Sequence, residues 1–216
     1  MAFDLEEQEQ LASIKAWWNS YGNLVSWILI VVLGSFAAWN GWKYYQRSQA
    51  AQAGQLYEEL QKGVTAKDNA LVQRAATDME ARFGRTVYAQ MSALTAAKSA
   101  VDANDMAAAK TQLAWIIAGS GDEEYKSIAR IRLAGVLLDE KAYDEALKLV
   151  NGEFSTQFAA LAADRRGDIL VAQNKLEEAR AAYKTALEKT EDKNPGRQLI
   201  QLKLDAIGGE PAKAAA

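Results

Sequence analysis

Hydrophobic positions along the chain are spaced as in α-helices almost throughout. After Tyr45, apolar residues recur every three or four positions, and no stretch alternates apolar and polar residues as a half-buried strand would. Only two prolines occur, Pro195 and Pro211, so nothing interrupts long helices before the C-terminal end. The pattern predicts an all-α protein.

Residues 24–42 form an uncharged, strongly apolar stretch. As a helix it would be ~28 Å long at about 1.5 Å per residue, close to the hydrocarbon thickness of a bilayer. Aromatic residues gather at both of its ends, as is typical where rings lie at the depth of the lipid headgroups. The predicted membrane-interface residues are Trp17, Trp18, Tyr21, Trp39, Trp42, Tyr44 and Tyr45. We therefore predict a transmembrane helix over residues 24–42.

The preceding segment, residues 1–23, argues against a cleaved signal peptide. A signal peptide begins with a short basic region, whereas this segment carries four acidic residues and a single cation, Lys15. The other alternative, a buried core helix of a soluble protein, does not usually carry aromatic residues at both ends. Leu11, Ile14 and Trp18 share one helical face, so we predict an amphipathic segment that lies on a membrane surface or against a partner.

Charge alone leaves the membrane orientation open. Lys15 stands before the apolar stretch, and Lys43 and Arg47 stand after it. By the positive-inside rule this difference of one charge favours a cytoplasmic C-terminal domain. Long domains, however, translocate largely regardless of charge.

An internal repeat occupies most of the remaining chain. Residues 137–150 align with 170–183 at an offset of 33. An earlier copy lies at 96–115, and its equivalent positions stand 37 residues before those of the copy at 137–150. Each copy has one small residue in its first helix, another in its second helix, and a large residue four positions later. These are Ala97, Ala134 and Gly167; Ala109, Ala146 and Ala179; and Leu113, Val150 and Tyr183.

This spacing resembles the tetratricopeptide repeat, whose helix pairs must stack to bury their apolar faces. We predict a tetratricopeptide-like α-solenoid over 43–207, with a degenerate helix pair (55–63 and 69–82) at its start, a cap helix (196–207) at its end, and a disordered tail at 208–216. Two residues depart from the repeat pattern: Arg130 replaces the usual aromatic residue, and Glu153 replaces the usual alanine.

Composition restricts the chemistry. The net charge of -3 gives no reason to expect a nucleic-acid partner. The absence of cysteine excludes disulfides and thiolate sites, and the absence of histidine removes the commonest general base and metal ligand. No pair of acids stands in an apolar setting that would tune it for catalysis. We predict a binding protein without cofactor or metal rather than an enzyme.

The first helices of stacked repeats line a concave face, where apolar side chains suit an unfolded or extended segment. The predicted groove residues are Met91, Leu94, Ile128, Ile131, Leu138, Leu161 and Val171. Charged residues predicted at its edges are Lys98, Asp102, Asp139, Asp164 and Asp168. Apolar residues at helical spacing also form cores, so a purely structural role stays open for each.

Several stretches together resemble the YfgM-like ancillary subunits of the bacterial SecYEG translocon. The opening DLEEQEQLASIKAWWNSYGN and the single apolar anchor are the most specific of these features. The others are ARFGRTVYAQMSAL (81–94), DMAAAKTQLAWII (105–117) and ARIRLAGVLLDEKAYDEAL (129–147). The resemblance spans nearly the full chain.

The resemblance implies a single-pass protein of the bacterial inner membrane, with residues 1–23 in the cytoplasm and the repeats in the periplasm. This orientation opposes the one that the charges favour. The implied partners, besides the lipid bilayer, are the SecYEG translocon, a membrane-anchored periplasmic chaperone and unfolded exported proteins. The alternative is an adaptor whose repeats face the cytoplasm and assemble another membrane complex.

Overall fold

The computed structural model describes the backbone of residues 5–208 and the side chains of residues 8–208. The first four residues of the predicted N-terminal segment, and residues 209–216 of the predicted disordered tail, lie outside the described residues. Every regular element between residues 5 and 208 is an α-helix, which confirms the predicted all-α class. The chain divides into two compact units, Met1–Ala51 and Gln52–Ala216.

Nine helices make up the described chain. They are α1 (Leu5–Ala66), α2 (Asn69–Phe83), α3 (Val87–Asp102), α4 (Met106–Gly119), α5 (Glu123–Asp139), α6 (Tyr143–Val150), α7 (Thr156–Ala172), α8 (Leu176–Lys189) and α9 (Gly196–Ala206). Helix α1 runs without a break through the apolar stretch and ends inside the second unit.

The second unit is a stack of helix pairs that packs as the repeat spacing predicts. Residues 52–66 of α1 pack against α2, and α3–α4, α5–α6 and α7–α8 follow as pairs, with α9 against α8. All the small residues of the repeat pattern are buried, and so are its large residues Leu113, Val150 and Tyr183. Gly167 shows why small residues are needed, because a Cβ atom there would overlap the Tyr183 ring.

The turn inside each pair ends the first helix in the same way. One residue adopts the left-handed conformation in every turn: Lys67, Asn104, Lys141 and Asn174, with φ of 55°, 60°, 61° and 59°. The next amide then bonds back over five residues, as from Asp105 N to Ala100 O at 2.8 Å. This geometry is a Schellman-type helix end, which satisfies carbonyls that the helix leaves unpaired.

The two departures from the repeat pattern have one structural cause. Helix α6 is only 8 residues long, so Glu153 lies in the loop that follows it rather than on a helix. The Arg130 guanidinium reaches this loop, where its Nε donates to Leu149 O at 2.9 Å and its carbon lies 4.2 Å from the centre of the Phe154 ring. Arg130 therefore supplies a hydrogen bond and a positive charge to the C-terminus of the shortened helix.

Candidate functional site

Helix α1 carries a continuous apolar surface. Among the residues that the structure describes, it is the one helix long and apolar enough to cross a membrane. Its most apolar 18-residue stretch has a mean hydropathy of 1.8, and 6% of that stretch is buried. Burying a large apolar side chain stabilises a protein by about 1.5–3 kcal/mol relative to leaving it in water. The surface of α1 is therefore suited to lipid or to partner helices rather than to water.

The seven predicted membrane-interface aromatic residues all lie on α1 and are more than half exposed. Trp17 contacts both Trp18 and Tyr21, with ring centres 6.4 Å and 5.8 Å apart. At the other end, the Trp42 and Tyr45 ring centres are 6.1 Å apart. Their position at headgroup depth stays a prediction.

The predicted groove residues do not form one surface. Met91 and Leu94 line a common opening, whereas Leu138 and Val171 pack into separate apolar clusters farther along the stack. Ile128 is half-buried. Leu161 is the most accessible of the seven, with 49% of its surface exposed.

Ile131 belongs to the core. Only 3% of its surface is exposed, because α5 packs between α3 and α7 as well as against its own repeat partners. A partner protein would find no accessible surface on this side chain. The repeat pattern places Ile131 on the correct helix face but does not reveal how closely the neighbouring helices cover it.

Two predicted edge residues, Asp164 and Asp168, are held by α9. Lys203 Nζ lies 2.8 Å from an Asp164 carboxylate oxygen and 2.9 Å from an Asp168 oxygen. The Tyr183 hydroxyl donates to Asp168 at 2.8 Å. Burial raises the pKa of Asp164, and the hydrogen bond from Lys203 opposes that rise. These carboxylates fix the last helix to α7, so they are not free groove edges. The other edge residues, Lys98, Asp102 and Asp139, are exposed.

A groove follows α3 at the start of the stack. It consists of two adjoining openings of about 290 Å³ and 510 Å³ that share Thr95 and Lys98. The first is also lined by Tyr57, Met91, Leu94 and Arg132, and the second by Val64, Lys67, Asn69, Ser99, Asp102 and Ala103. We call this surface the α3 groove. Three cations and one carboxylate line it, whereas the whole chain has a net charge of -3.

A second opening, of about 540 Å³, lies beside the short helix α6. Its floor consists of alanines of α7 and α8, and its rim includes Phe154, Arg166 and Lys189. Among the side chains of residues 8–208, no three acidic groups come close enough together to hold a metal ion.

Comparisons with known proteins extend over both units. The profile of the tetratricopeptide repeat-like domain family matches residues 15–209, which include the apolar stretch of α1 and all the later helices. Three similar proteins are each named ancillary SecYEG translocon subunit. The protein of Neisseria gonorrhoeae is 29% identical over 96% of this chain and 100% of its own length. That of Haemophilus influenzae is 30% identical over 86% and 91%, and that of Escherichia coli 27% over 93% and 96%.

The chain belongs to the ancillary SecYEG translocon subunit family. The sequence pattern did not predict most of the residues that line the α3 groove. Tyr57 and Val64 lie on α1 and Lys67 in the turn that follows it, where the repeat signature is degenerate. Arg132 offered a signal, because it stands 37 residues after Thr95, the offset between the two repeats, and therefore occupies the equivalent position on the next first helix.

Proposed function

We propose that this protein is a single-pass inner-membrane protein that associates with the SecYEG translocon and passes exported proteins to periplasmic folding factors. In this proposal α1 crosses the membrane with residues 1–23 in the cytoplasm, and the repeat domain faces the periplasm. The observation that carries it is the match to translocon subunits over nearly the whole chain, anchor and repeats together.

Repeat domains suit this role because stacked helix pairs present extended surfaces to other proteins. The second unit offers the α3 groove and the opening beside α6 as surfaces for such contacts. An anchored repeat domain would raise the local concentration of its partners near the channel. We propose that these partners include a membrane-anchored periplasmic chaperone and unfolded exported segments.

The second candidate is an adaptor whose repeats face the cytoplasm. The charges favour it, because Lys43 and Arg47 follow the apolar stretch and only Lys15 precedes it. Membrane orientation separates the two candidates.

The test is a pair of reporters fused after Ile207: alkaline phosphatase, active only in the periplasm, and a fluorescent protein that matures only in the cytoplasm. The proposal predicts an active phosphatase and a dark reporter. A fluorescent protein fused at the N-terminus is the matched control and should be bright. A bright reporter after Ile207 with inactive phosphatase would refute the periplasmic role.

Association with the translocon is tested separately. Cross-linking in intact membranes, followed by purification of the protein, should recover the channel subunits. If the reporters place Ile207 in the periplasm but cross-linking does not recover the channel subunits, the proposed orientation would be supported and the proposed association with the translocon refuted.

A further inference from the structure

We propose that the α3 groove binds an extended segment of a partner protein that carries an acidic side chain among aliphatic ones. The proposal rests on the function proposed above and specifies the chemistry of the bound segment. It is carried by the charges, the apolar lining and the dimensions of the groove.

Two cations of the groove have no ion-pair partner among the residues that the structure describes. Eight ion pairs occur within the described chain, and neither Arg132 nor Lys67 takes part in any of them. Lys98 is paired with Asp102 at 2.6 Å, which uses the one carboxylate in the groove. Each opening of the groove therefore has one cation without an ion-pair partner among the described residues, Arg132 in the first and Lys67 in the second.

Arg132 is the cation best placed to bind a carboxylate. Its Nη1 donates to Leu94 O at 3.4 Å, which holds the guanidinium over α3. Arg132 remains exposed to solvent, and partial desolvation by the neighbouring protein lowers its pKa. A guanidinium has five donors in a planar fork, so it can bind a carboxylate through two parallel hydrogen bonds while keeping the bond to Leu94.

The apolar part of the groove suits aliphatic side chains beside the acid. Tyr57, Met91 and Leu94 are half-buried, and Val64 is 38% exposed. Methionine adapts to differently shaped partners because its side chain is flexible and polarisable. The Tyr57 ring is fixed by Tyr88, with ring centres 5.6 Å apart, and provides a rigid wall.

The length of the groove sets the size of the bound segment, and the polar lining favours an extended segment over a helix. From Met91 to Asp102, α3 rises ~17 Å at about 1.5 Å per residue, a length that about five residues of extended chain span. Asn69 Oδ1 accepts from both Gln73 and Ser99, and no described residue accepts from its amide nitrogen, which can therefore donate to a bound segment. An extended segment has free backbone carbonyls that accept such a bond, whereas those of a helix are mostly engaged.

The test measures fluorescence anisotropy of two labelled hexapeptides with the full-length protein in detergent. One peptide alternates leucine and glutamate; the other has glutamine in place of glutamate. We expect the acidic peptide to bind about tenfold more tightly, the advantage of a charge-assisted pair over a neutral one. R132Q should reduce its affinity to that of the neutral peptide. R166Q, which removes an arginine from the opening beside α6, is the matched control and should keep the preference.

Three results would overturn the proposal: equal affinity for both peptides, no binding of either, or an undiminished preference in R132Q. Circular dichroism checks that both variants keep the helical content of the wild type. The outcome is independent of membrane orientation. A cytoplasmic repeat domain with an intact preference would refute the proposed function alone, and a periplasmic domain without the preference would refute the groove alone.

Discussion

Glu80 is a half-buried acid whose replacement by glutamine should stabilise the repeat domain above neutral pH. It lies on α2 between the buried residues Met79 and Phe83, and its Oε1 atom has no hydrogen-bond partner among the described residues. Burial raises the pKa of Glu80 from 4.5 to about 7, because a carboxylate loses solvation in an apolar surrounding. Glutamine keeps the shape of the side chain and removes its charge.

The sign of the pH effect follows from proton binding. Between pH 4.5 and about 7, the folded protein holds a proton on Glu80 that the unfolded chain has already lost. The free energy of unfolding therefore falls as the pH rises through this window and stays low above it. The rise of the pKa from 4.5 to about 7 corresponds to at most ~3.4 kcal/mol at about 1.36 kcal/mol per pKa unit. Glu80 is only partly buried, and solvent screening reduces the expected effect to about 1–2 kcal/mol.

The assay is urea unfolding of the full-length protein in detergent, followed by circular dichroism at several pH values. At pH 8 we expect E80Q to unfold at higher urea, with a free energy of unfolding about 1–2 kcal/mol above the wild type. Near pH 4 the two proteins should unfold alike. The control is D78N, which neutralises an exposed acid on the same helix. The reasoning fails if E80Q shows the same pH dependence as the wild type, or if it is less stable at pH 8.

Three further substitutions test the packing. K141G should raise the free energy of unfolding by about 0.5–1 kcal/mol, and with it the urea midpoint, because Lys141 adopts the left-handed conformation that glycine tolerates. An unchanged midpoint would contradict this. G167A should lower the melting temperature through overpacking against Tyr183, at a cost of about 1–3 kcal/mol, and a neutral effect would show that the ring has room. R130A should remove the bond to Leu149 O and speed hydrogen exchange at the end of α6, at a cost of about 1–2 kcal/mol; unchanged exchange there would argue against this capping role.

The repeat core was predictable because its spacing encodes contact. A small residue in each of two helices allows close approach, and a large residue four positions later fills the space beside them. Ala146 is fully buried and Val150 5% exposed, as this reasoning expects. The turns were predictable for a similar reason, since a short polar stretch must reverse the chain between two helices. Local sequence therefore sufficed wherever the determining contacts lie within one repeat.

The start of the stack was harder to predict. Residues 52–66 belong to the same unbroken helix as the apolar stretch, so no turn residue marks where the repeat domain begins. The first helix pair is held by contacts such as those of Leu60 with Val72 and Ala76, which do not follow the spacing of the later repeats. The repeat pattern could not predict that residues of α1 line the α3 groove. Helix periodicity identifies which face of a helix is apolar, but not which other element packs against that face.

The ion pairs at the other end of the stack show the same limit and also bear on where a partner binds. Repeat spacing placed Asp164 and Asp168 at the edge of the concave face. Their partner, Lys203, comes from a helix that the spacing within one repeat does not reach. Because these acids are neutralised internally, the end of the face near α9 has little unbalanced charge to offer. Arg132 and Lys67, at the α3 end, have no such partner within the described chain. An acidic segment would therefore bind at the α3 end, where its carboxylate supplies the charge that the fold leaves unmatched.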